Sequence, residues 1–198
     1  MHLLEMSHFY DVQDAREYAM RKLNNREDFT PLKRLWCARK FWAQEWVEEG
    51  VTKLYRQALE KIDPEEWMMF EKQTILMLWQ GHQAIDTHRR ICALLPPVVQ
   101  HEDICLLNEK CKRAWRAMWW GTPDTLEGPS VLRALMHPDR IPIVEIIARL
   151  EKTESGEMRK GCRDLTVKFL ARGPEDNGKF RREEAIIANI VKRFSDSE

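Results

Sequence analysis

The sequence predicts an all-α fold, a compact bundle of about seven to nine helices. Three observations carry that expectation. Helix start and stop signals recur from Thr30 to Phe194. Between them, apolar residues fall three and four apart, the spacing that gathers one face of a helix. The strict apolar–polar alternation of a half-buried strand is almost absent.

The elements follow in order. Thr30-Pro31 offers an N-cap followed by proline at the first helical position. Leu32, Leu35, Trp36, Trp42, Trp46 and Val47 continue at helical spacing, and Gly50 reads as a stop or a kink. Asp63-Pro64-Glu65-Glu66 is a stronger start. The helix it opens should carry Trp67, Phe70, Ile75, Leu78 and Trp79, ending at Gly81 or running on to Leu95. Pro96-Pro97 breaks the chain. Ile104, Leu107, Cys111, Trp115 and Met118 then form a stripe that leads to Gly121.

Residues 121–129, rich in Gly, Pro, Thr and Asp, read as the clearest loop. They divide the chain into an N-terminal helical subdomain (1–120) and a C-terminal one (130–198) with basic clusters, unless the two form one continuous domain. Further helices are expected from Pro129 to Met136, from Pro142 through Leu150, from about Glu157 to Ala171, and from Phe180 to Phe194. A turn at Gly173–Gly178 precedes the last of these.

Composition narrows the class. Of 198 residues, 43% are hydrophobic and 32% charged, enough for a core and a solvated surface. Lys+Arg and Asp+Glu both number 32, which argues against a strongly basic nucleic-acid binder while leaving local patches open. No apolar run approaches a membrane span. The opening residues show no basic leader and apolar core, so no secretory signal is expected. Cys37, Cys92, Cys105, Cys111 and Cys162 are odd in number and lie in helix-like text. They read as reduced thiols of a cytoplasmic or nuclear protein.

One arrangement suggests specific chemistry. His88 and Cys92 sit four apart before Pro96-Pro97, and His101 and Cys105 sit four apart after it. Residues four apart share a helix face. If the prolines turn the chain back, the two faces meet at the mouth of a hairpin as a tetrahedral structural zinc site. Cys111 could replace one ligand. The plainer reading makes the thiols small core hydrophobes.

Two further features concern partners. Tryptophan is mixed with basic residues in two stretches. One holds Lys33, Arg34, Trp36, Arg39, Lys40, Phe41, Trp42 and Trp46; the other holds Lys110, Lys112, Arg113, Trp115, Arg116, Trp119 and Trp120. Cations neutralise phosphates and aromatic faces stack bases, and the same mixture suits an acidic membrane surface. A core-facing Trp with a solvated basic face gives the same spacing. The C-terminal third clusters Arg159, Lys160, Arg163, Lys179, Arg181 and Arg182, diluted by Glu183 and Glu184. It is the best electrostatic candidate for an anionic partner.

No phosphate-binding glycine loop, nucleophile elbow or H-E-x-x-H pair is present, and no small-molecule substrate is evident. The expected function is therefore non-enzymatic: an intracellular helical interaction or assembly module. Trp, Met and Arg surfaces, with Trp42, Trp46, Trp119 and Trp120 as anchors, would bind a protein partner or a second copy. A small viral structural or regulatory protein fits this profile, though no residue demonstrates that origin. The alternative is a nucleic-acid-binding helical protein that uses the basic helices, with or without a zinc clip.

Overall fold

A computed structural model of the chain describes residues 2–121, 130–153, 156–172 and 179–196, with only the backbone of Lys179. The expected loop at 122–129 and turn at 173–178 lie outside the described residues. All regular structure among the described residues is helical. In chain order the α-helices are α1 (His2–Phe9), α2 (Gln13–Asn24), α3 (Pro31–Lys40), α4 (Glu45–Arg56) and α5 (Pro64–Trp67). They continue with α6 (Lys72–Leu94), α7 (Asn108–Trp120), α8 (Val131–Met136), α9 (Ile143–Lys152), α10 (Lys160–Leu170) and α11 (Arg182–Ser195). None of the described helices is long and apolar enough to cross a membrane.

The local rules account for three starts, those of α3, α5 and α8. Thr30 caps α3 by accepting the Lys33 N–H, with Pro31 in the first turn. Asp63 caps α5 through the Glu65 N–H. That start is real but brief: α5 ends at Trp67, and the long α6 begins afresh at Lys72. Gly81 does not end α6, which runs on to Leu94, one residue short of the farther limit read from the sequence.

Gly50 is neither stop nor kink. It is buried within α4 against α3, where an added Cβ would lie 2.8 Å from the Leu35 Cδ2. The stop comes earlier, between α3 and α4, where Trp42 adopts a left-handed φ of 55°. Ile104 also departs from its expected stripe: it precedes α7 and is exposed.

The chain forms two units by contact. The first comprises Met1–Tyr55, Leu59–Leu78 and Ala188–Glu198. Its core packs Leu32, Leu35 and Cys37 of α3 with Trp46, Val51 and Leu54 of α4. Arg34 is buried there, its guanidinium 4.9 Å from the Phe29 ring centre and 3.0 Å from the Glu49 carboxylate. The Tyr55 hydroxyl donates to the Leu78 carbonyl at 3.1 Å.

The second unit comprises Arg56–Ala58 and Trp79–Ile187, so it includes described residues on both sides of positions 121–129. Its core joins Cys92, Ala93, Trp115, Trp119, Leu135, Ile146, Leu150, Val167 and Phe180. The Trp119 indole N–H is shared by the Cys92 and Ala93 carbonyls, at 3.1 and 3.2 Å. The Trp115 indole donates to the Pro97 carbonyl at 3.1 Å. Two buried indoles thus tie α7 to the segment that ends α6, because a buried N–H left unpaired is costly.

Candidate metal centre

The segment from Gln100 to Cys105 is an irregular loop that lies along α10. Every second residue makes a bond to that helix. The Gln100 N–H donates to the Thr166 hydroxyl at 2.9 Å, the Glu102 N–H to the Cys162 sulfur at 3.5 Å, and Arg159 to the Ile104 carbonyl at 3.0 Å. Arg159, at the N-cap position of α10, and Cys162 and Thr166 on it are three and four apart, so one helix face receives the loop. Gly161 lets the loop approach closely, since a Cβ there would run into the Glu102 carboxylate. Thr166 completes the seam by donating to the Cys162 carbonyl at 2.7 Å.

This docking converges four side chains. His101 and Cys105 come from the loop, Cys111 from the first turn of α7 and Cys162 from the first turn of α10. One ligand atom from each lies within 4.8 Å of all the others. It is the one such His/Cys/Asp/Glu group among the described residues. The Cys105 and Cys111 sulfurs are 3.8 Å apart. A zinc–sulfur bond of about 2.3 Å gives a tetrahedral sulfur–sulfur edge of about 3.8 Å. Both ring nitrogens of His101 are buried without a hydrogen-bond partner. An orphaned imidazole beside three thiols fits a metal, because coordination satisfies a nitrogen that would otherwise pay its desolvation cost.

Burial and hydrogen bonding act on the cluster thiols in opposite directions. Burial pushes the Cys162 thiol up to about 11. Burial also works to raise Cys105, but the Leu107 N–H, the Cys162 and Cys111 thiols and Arg159 outweigh it and leave that thiol below its usual value. The first turns of α7 and α10 present positive dipole ends to Cys111 and Cys162. Zinc is bound by thiolates, so a divalent cation taken up here would displace thiol protons.

No protein-family model matches this chain, and neither a curated protein nor a solved structure is significantly similar to it.

The two His-x-x-x-Cys pairs read from the sequence do not meet. His101 and Cys105 enter the cluster, joined by Cys111, which had been a substitute ligand, and by Cys162, which sequence reasoning missed. His88 and Cys92 belong elsewhere. His88 Nε2–H donates to the Phe180 carbonyl at 3.1 Å, and burial lowers the His88 pKa. Cys92 packs beside His88, with its thiol raised to about 11 by burial. The reason for the correction is geometric. The segment after Pro96-Pro97 does not continue as a helix facing α6 but runs as an irregular loop against α10. Cys162 stands 57 residues beyond Cys105, and no local spacing announces it.

The other candidate residues separate in the same way. Trp46 and Trp119 are core residues and cannot anchor a partner, whereas Trp42 and Trp120 are 58% and 44% exposed. Arg159 pairs with Glu102, Arg163 with Asp164 and Arg181 with Glu184. Lys160 and Arg182 are exposed, as are Lys110, Arg113 and Arg116 on α7. The side chain of Lys179 lies outside the described residues. In the first unit, a groove of about 300 Å³ is lined by Leu23, Phe29, Trp36, Cys37 and Met69 with Arg26, Asp28 and Lys33. Its charges are already paired, Arg26 with Asp28 and Lys33 with Glu66, so none is left to orient a polar ligand.

Proposed function

We propose that the chain is a non-catalytic helical assembly module in which a Cys3His zinc centre holds a loop that presents an apolar surface to a second copy. The observation that carries this reading is the segment from Ile91 to Leu107. It carries both loop ligands, yet Leu94 and Leu95 are each 68% exposed, Val98 76%, Ile104 69% and Leu106 94%. Large apolar side chains gathered on one short segment are characteristic of an interaction surface rather than of ordinary scatter. Zinc bound by His101, Cys105, Cys111 and Cys162 would act structurally, closing a four-ligand site and fixing the loop before it meets a partner.

Light scattering during size-exclusion chromatography tests the reading. Association should rise with protein concentration and persist at high salt, because apolar burial is not screened. Val98→Asp and Leu106→Asp should each weaken it by about 2 kcal/mol, roughly 30-fold in Kd. A chain that stays monomeric at every concentration, with zinc present, overturns the assembly reading.

A second reading, nucleic-acid binding, is favoured by α7 alone. Lys110, Arg113 and Arg116 are exposed there, while Glu109 of the same helix is engaged by Lys112 at 2.8 Å. Trp120 ends the helix partly exposed, with its indole N–H held by the Ala93 carbonyl at 3.2 Å. This reading requires binding to a single-stranded oligonucleotide that falls steeply with salt.

A further inference from the structure

The geometry points to Cys105 as an oxidation site: hydrogen peroxide converts Cys105 and Cys111 to a disulfide and expels the zinc. This rests on the zinc reading above and names how that centre is regulated.

Three features support it. The Cys105 and Cys111 sulfurs are already 3.8 Å apart, so forming a bond of about 2.05 Å needs only a short inward movement of two side chains. Access is unequal. Cys111 and Cys162 are fully buried, whereas Cys105 retains 8% exposure between the exposed Ile104 and Leu106. Cys105 is therefore the cluster cysteine nearest to solvent, with a second thiol beside it, the arrangement typical of redox-sensitive cysteines. Finally, Cys105 is held by an irregular loop rather than a helix, and Cys111 by the first turn of α7, so the bridged segment can adjust without unwinding a core helix.

The chemistry balances. The Cys105 thiolate sulfur attacks one peroxide oxygen. The O–O bond breaks, and the departing hydroxide takes a proton from solvent as the first water. Cys105 is then a sulfenic acid. The Cys111 sulfur attacks it, the S–O bond breaks, and a second hydroxide leaves and is protonated. Two electrons from the two sulfurs have reduced one peroxide to two waters. With two thiolates consumed, Cys162 and His101 no longer make a four-ligand site. Zinc leaves as the free cation and Cys162 takes up a proton.

The test uses the full chain loaded with zinc and treated with hydrogen peroxide. A chromogenic chelator reads zinc release, and mass spectrometry maps the thiols. One zinc should appear per Cys105–Cys111 disulfide formed, and reductant with added zinc should restore the starting state. A Cys37→Ala/Cys92→Ala variant, which keeps only the three cluster thiols, should behave identically; if it fails to fold, disulfide mapping on the natural chain decides. Zinc that stays bound under peroxide overturns the switch and leaves the zinc centre standing. Zinc released with a disulfide to Cys162, or with sulfinic acid at Cys105, overturns the assigned pair. Protein that carries no zinc before treatment overturns the zinc reading and this one with it.

Discussion

His101 shows how little a single side chain needs to say in sequence to matter in the fold. Nothing in its neighbours distinguishes it from His88, and the two were equally good ligands on spacing alone. In the structure His88 has its own partner, the Phe180 carbonyl, while both nitrogens of His101 have none. That difference predicts opposite substitution effects. Cys162→Ser should abolish zinc binding measured by elemental analysis and lower the melting temperature. The loss is about 4 kcal/mol if free zinc exceeds its dissociation constant a thousandfold. Cys92→Ser should keep full zinc and cost only about 1 kcal/mol in stability. His88 also gives a pH dependence. Its folded pKa is depressed by burial, whereas the unfolded chain titrates near 6.5. As pH falls through that value the unfolded state takes up a proton that the folded state resists, so stability is lost on acidification. Each unit of depression removes about 1.4 kcal/mol. Denaturant titrations of metal-stripped protein at about pH 7.5 and about pH 5.5 should show this, and His88→Gln should reduce the difference.

Helices were readable where their signals are local. Thr30-Pro31 and Asp63-Pro64 cap as expected because capping involves only the next three residues. Helix ends were less legible. Gly50 lies inside α4 because Leu35 of α3 needs the space its missing side chain leaves. Helix propensity alone predicts that Gly50→Ala stabilises by about 1 kcal/mol. Overpacking against the fully buried Leu35 costs about 1–3 kcal/mol, so the expected outcome is a net loss of about 1 kcal/mol in urea denaturation. Gly50→Leu should lose more. A gain for Gly50→Ala would show that α3 and α4 can move apart freely.

The second unit is tied together by partners far apart in the chain. Arg89 of α6, 2% exposed, binds the Glu183 carboxylate at 2.6 and 3.0 Å and the Ile141 carbonyl at 2.7 Å. Removing one member leaves a buried charge without compensation. Glu183→Leu should therefore cost about 3–5 kcal/mol by chemical denaturation, and Arg89→Met in the same chain should recover most of it. The cluster of His101, Cys105, Cys111 and Cys162 is the other long-range tie. Chelation should raise hydrogen exchange across residues 98–107 and the first turn of α10, whose bonds to one another depend on the docked loop, and leave α3 and α4 unchanged. Uniform acceleration everywhere would instead mean that metal supports global folding.

Helical class, some helix starts and the His101–Cys105 pair of the cluster were written in short stretches of sequence, because periodicity, caps and proline breaks act over a few residues. Which thiols meet was not. Cys105, Cys111 and Cys162 converge only because the loop after Pro96-Pro97 runs against α10, held by Gln100–Thr166 and Glu102–Cys162 bonds between residues about 60 apart. The same holds for tryptophan: Trp46 and Trp119 are core and Trp42 and Trp120 surface, although all four occur in similar basic text. Spacing assigns a side chain to a face of its own helix, but only the packing of other segments decides whether that face is covered, and by what.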